Sequence, residues 1–202
     1  ISECLVGSEM CIRDRVMADV ERLSAEDEPY HRELITYEAP YLDNLPTAPR
    51  EKFAANIAAI QKLKEIEQRV ANGGSPAFED EQRILAQYTG WGGLSDAFDP
   101  NKSAWSNEYS QLKAALSESE YEAARSSTLT AFYTPATVIH PIYRALERFG
   151  VKGGKILEPS MGTGAFLAHG HFGSSDAKFY GVELDSITGR ISKQLSQKAN
   201  IQ

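Results

Sequence analysis

Between residues 49 and 71, Phe53, Ile57, Ile60, Leu63, Ile66 and Val70 recur at three- and four-residue steps among charged and polar neighbours. That spacing aligns them on one stripe, so it predicts an amphipathic helix from about Pro49 to Ala71, stopped by Asn72-Gly73-Gly74. A second helical pattern runs from about Glu79 to Tyr88 and gives way to the turn Gly90-Trp91-Gly92-Gly93-Leu94. There glycine admits backbone angles that other residues resist. Past a loop at Asp99-Pro100-Asn101-Lys102, a helix is predicted near Asn107 to Leu116, and Ser117-Glu118-Ser119-Glu120 reads as a capping box that opens another. Residues 16–128 are therefore expected to form a mainly helical region.

After Thr130 the pattern changes. Thr134-Pro135 precedes a helix over 136–149, Lys155-Ile156-Leu157 is a short apolar strand, and Gly164 to Ala168 begins a helix. Phe179-Tyr180-Gly181-Val182 is a second strand, and a last helix spans roughly Ser186 to Leu195. An α–β–α–β–α order with short connections predicts an α/β fold with a parallel, doubly wound, Rossmann-like sheet over residues 129–202. Two strands would leave such a sheet incomplete.

The ends and the composition change this picture little. Residues 1–15 show no sustained period and resemble a translated sequencing-adapter read, so neither fold nor function is expected of them. From Val16 to Pro49, Pro29, Pro40, Pro46 and Pro49 interrupt any long helix, which predicts a loosely packed connector. With 202 residues, 42% hydrophobic and 24% charged, the chain has a globular composition. Its apolar runs are far shorter than the ~20 residues of a bilayer span, so a soluble protein without membrane association is expected. Cys4 and Cys11 are the only cysteines and both fall in the opening segment, which excludes a disulfide framework and points to a reducing cytoplasm. A net charge of −7 argues against a dedicated nucleic-acid grip, which relies on clustered Lys and Arg.

The strongest chemical signal is Ile156-Leu157-Glu158-Pro159-Ser160-Met161-Gly162-Thr163-Gly164-Ala165-Phe166-Leu167: a strand, an acid, a Gly-x-Gly turn and a helix. Gly162 and Gly164 let the backbone turn tightly and approach a ligand without Cβ clashes. Glu158 at the strand end can accept a hydrogen bond from a ligand's amino group or from a backbone amide of the loop. Downstream, Tyr180-Gly181-Val182-Glu183-Leu184-Asp185 ends the second strand in carboxylates. Glu183 is placed to take both ribose hydroxyls of an adenosine-containing cofactor. Asp185 is either a second ligand or the cap of the following helix. Nicotinamide-binding folds share the layout, but their third glycine would fall at Leu167 and they lack the acid before the turn. Both departures favour S-adenosylmethionine (SAM).

Phe132-Tyr133-Thr134-Pro135, followed by Glu158-Pro159-x-x-Gly162-x-Gly164-x-Phe166, resembles the N6-adenine DNA methyltransferases. The resemblance implies that Tyr133 and Thr134 contact the methionine end of SAM, with Pro135 as the helix's first residue. It also implies that Glu158, Pro159, Ser160, Gly162 and Gly164 line the methionine and sugar while Glu183 binds the ribose. Taken alone, Thr134-Pro135 is equally a helix cap. Tyr88-Thr89-Gly90-Trp91-Gly92-Gly93-Leu94, Ala124-Arg125-Ser126-Ser127-Thr128 and Tyr180 through Arg190 extend the resemblance to large methylase–helicase fusion proteins of phages and conjugative elements. That implies DNA as a partner through segments outside this chain, and a helicase domain in the same polypeptide. Trp91 is read as a buried indole rather than a base-stacking platform.

The family's catalytic Asp/Asn-Pro-Pro-aromatic motif, which positions a flipped adenine, has no counterpart, because the chain contains no Pro-Pro dipeptide. Asp99-Pro100-Asn101-Lys102 is the nearest imitation and reads as a turn. No catalytic residue is assigned, and this chain is expected to be inactive alone. Two other readings stay open: a methyltransferase acting on RNA, protein or a small molecule, and a non-catalytic SAM-fold scaffold for an attached helicase. His169 and His171, spaced two apart without a third ligand nearby, read as a solvated loop rather than a metal site.

Overall fold

Pro49 opens the first helix, α1 (Pro49–Ala71), with Glu51 in the first turn complementing the helix dipole. In the computed structural model, which describes residues 45–170 and 177–202, α1 buries Phe53, Asn56, Ile57, Ala59, Ile60, Leu63 and Ile66. The stripe stops one turn early: Val70 is 42% exposed, beyond the reach of the packed helices. The expectations for residues 1–44 and for His171 lie outside the described residues.

Helix α2 (Glu79–Leu85) is shorter than its apolar pattern, which continued to Tyr88. The chain leaves the helix because another partner takes its backbone groups. The Asn56 side chain accepts the Thr89 N–H at 2.9 Å and donates to the Gly90 carbonyl at 2.7 Å. Tyr88 is still buried, and Trp91 follows it into the core against Phe53, Tyr88 and Phe98. Two short 3-10 turns, Ser95–Phe98 and Ser103–Trp105, lead into α3 (Ser106–Ala115) and α4 (Glu118–Ser127). The capping box forms as the sequence predicts: the Ser117 hydroxyl accepts the Glu120 N–H, and the Glu120 carboxylate accepts the Ser117 N–H at 2.8 Å.

Helix α5 (Ala136–Arg148) begins where the sequence pattern puts it, with Pro135 extended at φ −73°, ψ 153° as the N-cap rather than the first helical residue that the resemblance implied. Strand β1 (Lys155–Glu158), a short helix α6 (Ala165–His169), strand β2 (Lys178–Gly181) and helix α7 (Ser186–Leu195) then alternate. A further strand not foreseen from the sequence, β3 (Asn200–Ile201), completes a three-stranded parallel sheet of order β1-β2-β3. Its register sets Leu157 beside Tyr180 and Tyr180 beside Asn200. The fold is thus α/β, mostly helical, with a small parallel sheet.

The largest core spans both sequence regions. Residues of α1 and α2, Trp91, Leu94, Phe98, Leu112, Leu116 and Tyr121 pack with Ile187, Ile191 and Leu195 of α7. Polar ties reinforce the junction. Arg190 of α7 donates to both carboxylate oxygens of Glu67 at 2.6 Å and to Glu120 at 2.7 Å. Gln194 accepts the Ala77 N–H at 2.9 Å. Two smaller clusters, one around Ile139 and Tyr143 and one around Met161, Leu167 and Ile201, lie against the sheet. Among the described residues, no helix is long and apolar enough to cross a membrane.

Candidate functional site

The loop after β1 is shaped by its two glycines. Gly162 takes φ +55° and Gly164 φ +87°, conformations that L-residues rarely adopt. A Cβ at Gly162 would lie 2.9 Å from Cδ1 and Cε1 of Tyr133, so the close approach that this glycine permits is to that ring. Gly164 caps α6, and its N–H goes to the Met161 carbonyl. With only five residues, α6 supplies little helix-terminal field.

Glu183 holds the loop from the end of β2. One carboxylate oxygen accepts the Gly162 N–H at 2.8 Å, and the other accepts the Asp185 N–H at 2.9 Å. Its own N–H is paired with the Gln202 carbonyl beyond β3, and Gln202 N–H returns to Gly181. The Glu183 backbone is therefore fixed from one side by the third strand and its carboxylate from the other by the glycine loop. Asp185 caps α7, accepting from the Thr188 N–H at 2.8 Å and the Thr188 hydroxyl at 2.6 Å, which realises the helix-cap alternative. The Tyr133 hydroxyl lies 3.5 Å from the same Thr188 oxygen, and burial pushes the phenol's pKa well up.

These groups border a cavity of about 430 Å³ beyond the ends of β1 and β2. Of the residues expected to bind cofactor, Tyr133, Ser160, Gly162, Glu183 and Asp185 line it, whereas Thr134, Glu158, Pro159 and Gly164 do not. The Glu158 carboxyl is half-buried, and that burial raises its pKa against the opposing effect of the Ser160 backbone N–H. It stands close enough to Tyr143 for its charge to add to burial in lifting that phenol to about 12. Tyr88, Gly90 and Thr188 also line the cavity and were not singled out as ligands from the sequence. Tyr88 read as a helix face; Thr188 carried one weak sign, standing three residues after a capping Asp.

Among the described residues, the lining contains three acidic or aromatic-hydroxyl groups from the predicted set and no Lys, Arg or His. Such a cavity attracts a cation and repels phosphates. His169 is buried, with its Nδ1 3.0 Å from Nε2 of His140. Among the described residues, no three His, Cys, Asp or Glu side chains gather as a metal site.

No family model matches the chain. No solved structure matches it significantly. Over 153 residues, 76% of this chain, it is 26% identical to "Defense against restriction protein B" of Escherichia phage P1. That stretch spans only 5% of the phage protein's length.

Proposed function

We propose that the cavity beyond β1 and β2 binds S-adenosylmethionine, and that this chain is the cofactor-binding half of a DNA adenine-N6 methyltransferase domain within a longer polypeptide. The observation that carries the reading is the convergence of Tyr133, Gly162 and Glu183 from three separate segments onto one acidic cavity at the ends of parallel strands. The order β1-β2-β3 is what one half of a doubly wound, Rossmann-like sheet would have, with the ligand at the carboxyl ends of its strands.

The residues fit the cofactor. A carboxylate offers about four acceptor sites, so Glu183 retains capacity for a ribose diol after taking two amides. SAM carries a sulfonium and an ammonium, which suit a lining whose described residues include no cation, whereas the pyrophosphate of a dinucleotide does not. The volume is within the ~300–1,000 Å³ typical of small-molecule sites. When bound, SAM supplies an electrophilic methyl group. Tyr133 and the glycine loop wall the site, Glu183 orients the sugar, and Glu158, outside the lining at the adjoining strand end, acts on the ammonium only through space, by its charge. DNA as substrate and a helicase in the same polypeptide rest on the motif resemblance. The phage relative is named only for defence against restriction and bears on neither.

Calorimetric titration of the 202-residue chain with SAM, and with NADH as a control, tests the reading. Glu183→Ala is expected to weaken SAM binding about ten- to a hundredfold, the loss of one or two charge-assisted bonds. Unchanged affinity removes Glu183 from the site, and NADH binding without SAM binding rejects the cofactor assignment.

A further inference from the structure

The turn at residues 89–93 is built against the site. Gly90, at φ +69°, presses its backbone on Tyr133: a Cβ there would lie 2.9 Å from the phenol oxygen and 3.2 Å from Cζ. Gly162 does the same from the loop after β1. The Tyr133 ring is pinched between two glycine backbones, both in conformations that exclude most side chains. Gly92 backs onto the same segment, where a Cβ would fall 2.2 Å from the Ala131 carbonyl oxygen. The turn is itself held from behind. The fully buried Asn56 pairs with Thr89 and Gly90, Lys52 donates to the Gly92 carbonyl at 2.9 Å, and Gly93 N–H goes to Thr128.

We propose that Asn56 and Gly90 are positioning residues for cofactor binding: the helical layer forms the rear wall of a slot that fixes the Tyr133 ring over Gly162. The inference rests on the SAM reading of the cavity and extends it to residues far from the Gly-x-Gly loop. Asn56 touches no cofactor; it sets the height of the Gly90 wall, and the wall sets where the ring stands. The loss on changing the wall therefore passes through the ring.

The test is a double-mutant cycle on SAM affinity in the 202-residue chain. Gly90→Ala is expected to weaken binding about tenfold. Tyr133→Phe removes the oxygen that the new methyl group meets first, so Gly90→Ala/Tyr133→Phe should regain most of that loss. In a Tyr133→Ala background, Gly90→Ala should cost nothing further. Backbone strain at Gly90 enters both backgrounds alike and cancels in the cycle. Losses that simply add overturn the inference while leaving SAM binding intact, whereas a wild-type chain that binds no SAM removes the functional reading and this inference together. Should Gly90→Ala fail to fold in a thermal melt, Trp105→Phe leaves Trp91 as the single tryptophan, next to the wall. Saturation with SAM should then change its emission, and the change should vanish with Tyr133→Ala. An unchanged Trp91 emission at saturation overturns the proposal.

Discussion

Around α1 the side chains of Ala59, Leu63 and Ile66 are at 0% exposure, while on the sheet side no residue of β1 is buried and Phe149, beyond α5, is 83% exposed. Phe132 and Leu184 at the cavity mouth are likewise open to solvent. The difference lies in what each region has to pack against. The helical layer receives α7 from the α/β segment and closes into one core, tied by Arg190 to two carboxylates. Among the described residues, the sheet meets α5 and α6 through two small clusters, and α7 reaches it at β3. Apolar surface left over in this way is a feature of surfaces that meet something else. Stability and binding are therefore expected to reside in different halves.

The sharpest way to break this contrast is a pair of truncations read by chemical denaturation. Leu63→Ala should destabilise by about 3 kcal/mol, because a fully buried leucine leaves a cavity, whereas Ile156→Ala on the half-exposed β1 should cost about 1 kcal/mol. Equal losses would mean that the sheet side carries as much of the fold as the helices do.

Acid should act next. Burial disfavours ionisation of Glu120, but hydrogen bonds from the Ser117 amide and Arg190 outweigh it and hold the carboxyl at about 2. A depressed carboxylate contributes stability that is present above the unfolded value near 4.5 and is lost as pH falls toward 2, here on the order of 2 kcal/mol. A pH series of denaturation midpoints checks it. In Arg190→Ala the decline should be smaller and should end at higher pH, since one of the groups holding the folded carboxylate down is gone while the unfolded value is unchanged.

On the other half, the sign reverses. Glu158 has a raised pKa, so in solution of falling pH it takes up a proton early and loses its pull on an ammonium. SAM affinity should fall through that range, by at most about tenfold per pH unit, and Glu158→Gln should flatten the profile. A flat wild-type profile would separate Glu158 from the ligand. The smallest effect is expected from Phe149→Ser, which should shift stability by under about 0.5 kcal/mol while lowering self-association in light scattering.

Where local signals were strong, the chain was legible. Helices Pro49–Ala71 and Ser186–Leu195 lie where periodicity and their flanking Pro49 and Asp185 put them. Tyr133, Gly162 and Glu183 were found by motif, and the cavity gathers them. What could not be read depended on partners distant in sequence. The early end of α2 follows from Asn56, 33 residues before Thr89, whose amide substitutes for helical bonds. Strand β3 has two residues, too few to show alternation, and exists because Gly181 and Glu183 present unpaired backbone groups to Gln202. Gly90 entered the site through tertiary packing, which leaves no spacing in the sequence to detect.

The junction of α7 with the helical layer also bears on how the chain acquires its structure. Arg190 meets Glu67 across 123 residues, and Gln197 meets Ala77 across 120. The first core is thus sealed by an element synthesised more than a hundred residues after the helix it closes on. Emerging from a ribosome, α1 through α4 hold an apolar face open until residues 187–195 arrive, a wait of roughly 3–14 seconds after α4 at ~5–20 residues per second. Closing so large a loop is slow compared with forming the helices themselves. The glycine loop and the Glu183 strand end lie inside that loop, so the binding cavity and the helical core should appear in a single late step, and a chaperone that shields the α1 face would find its substrate in the interval before it.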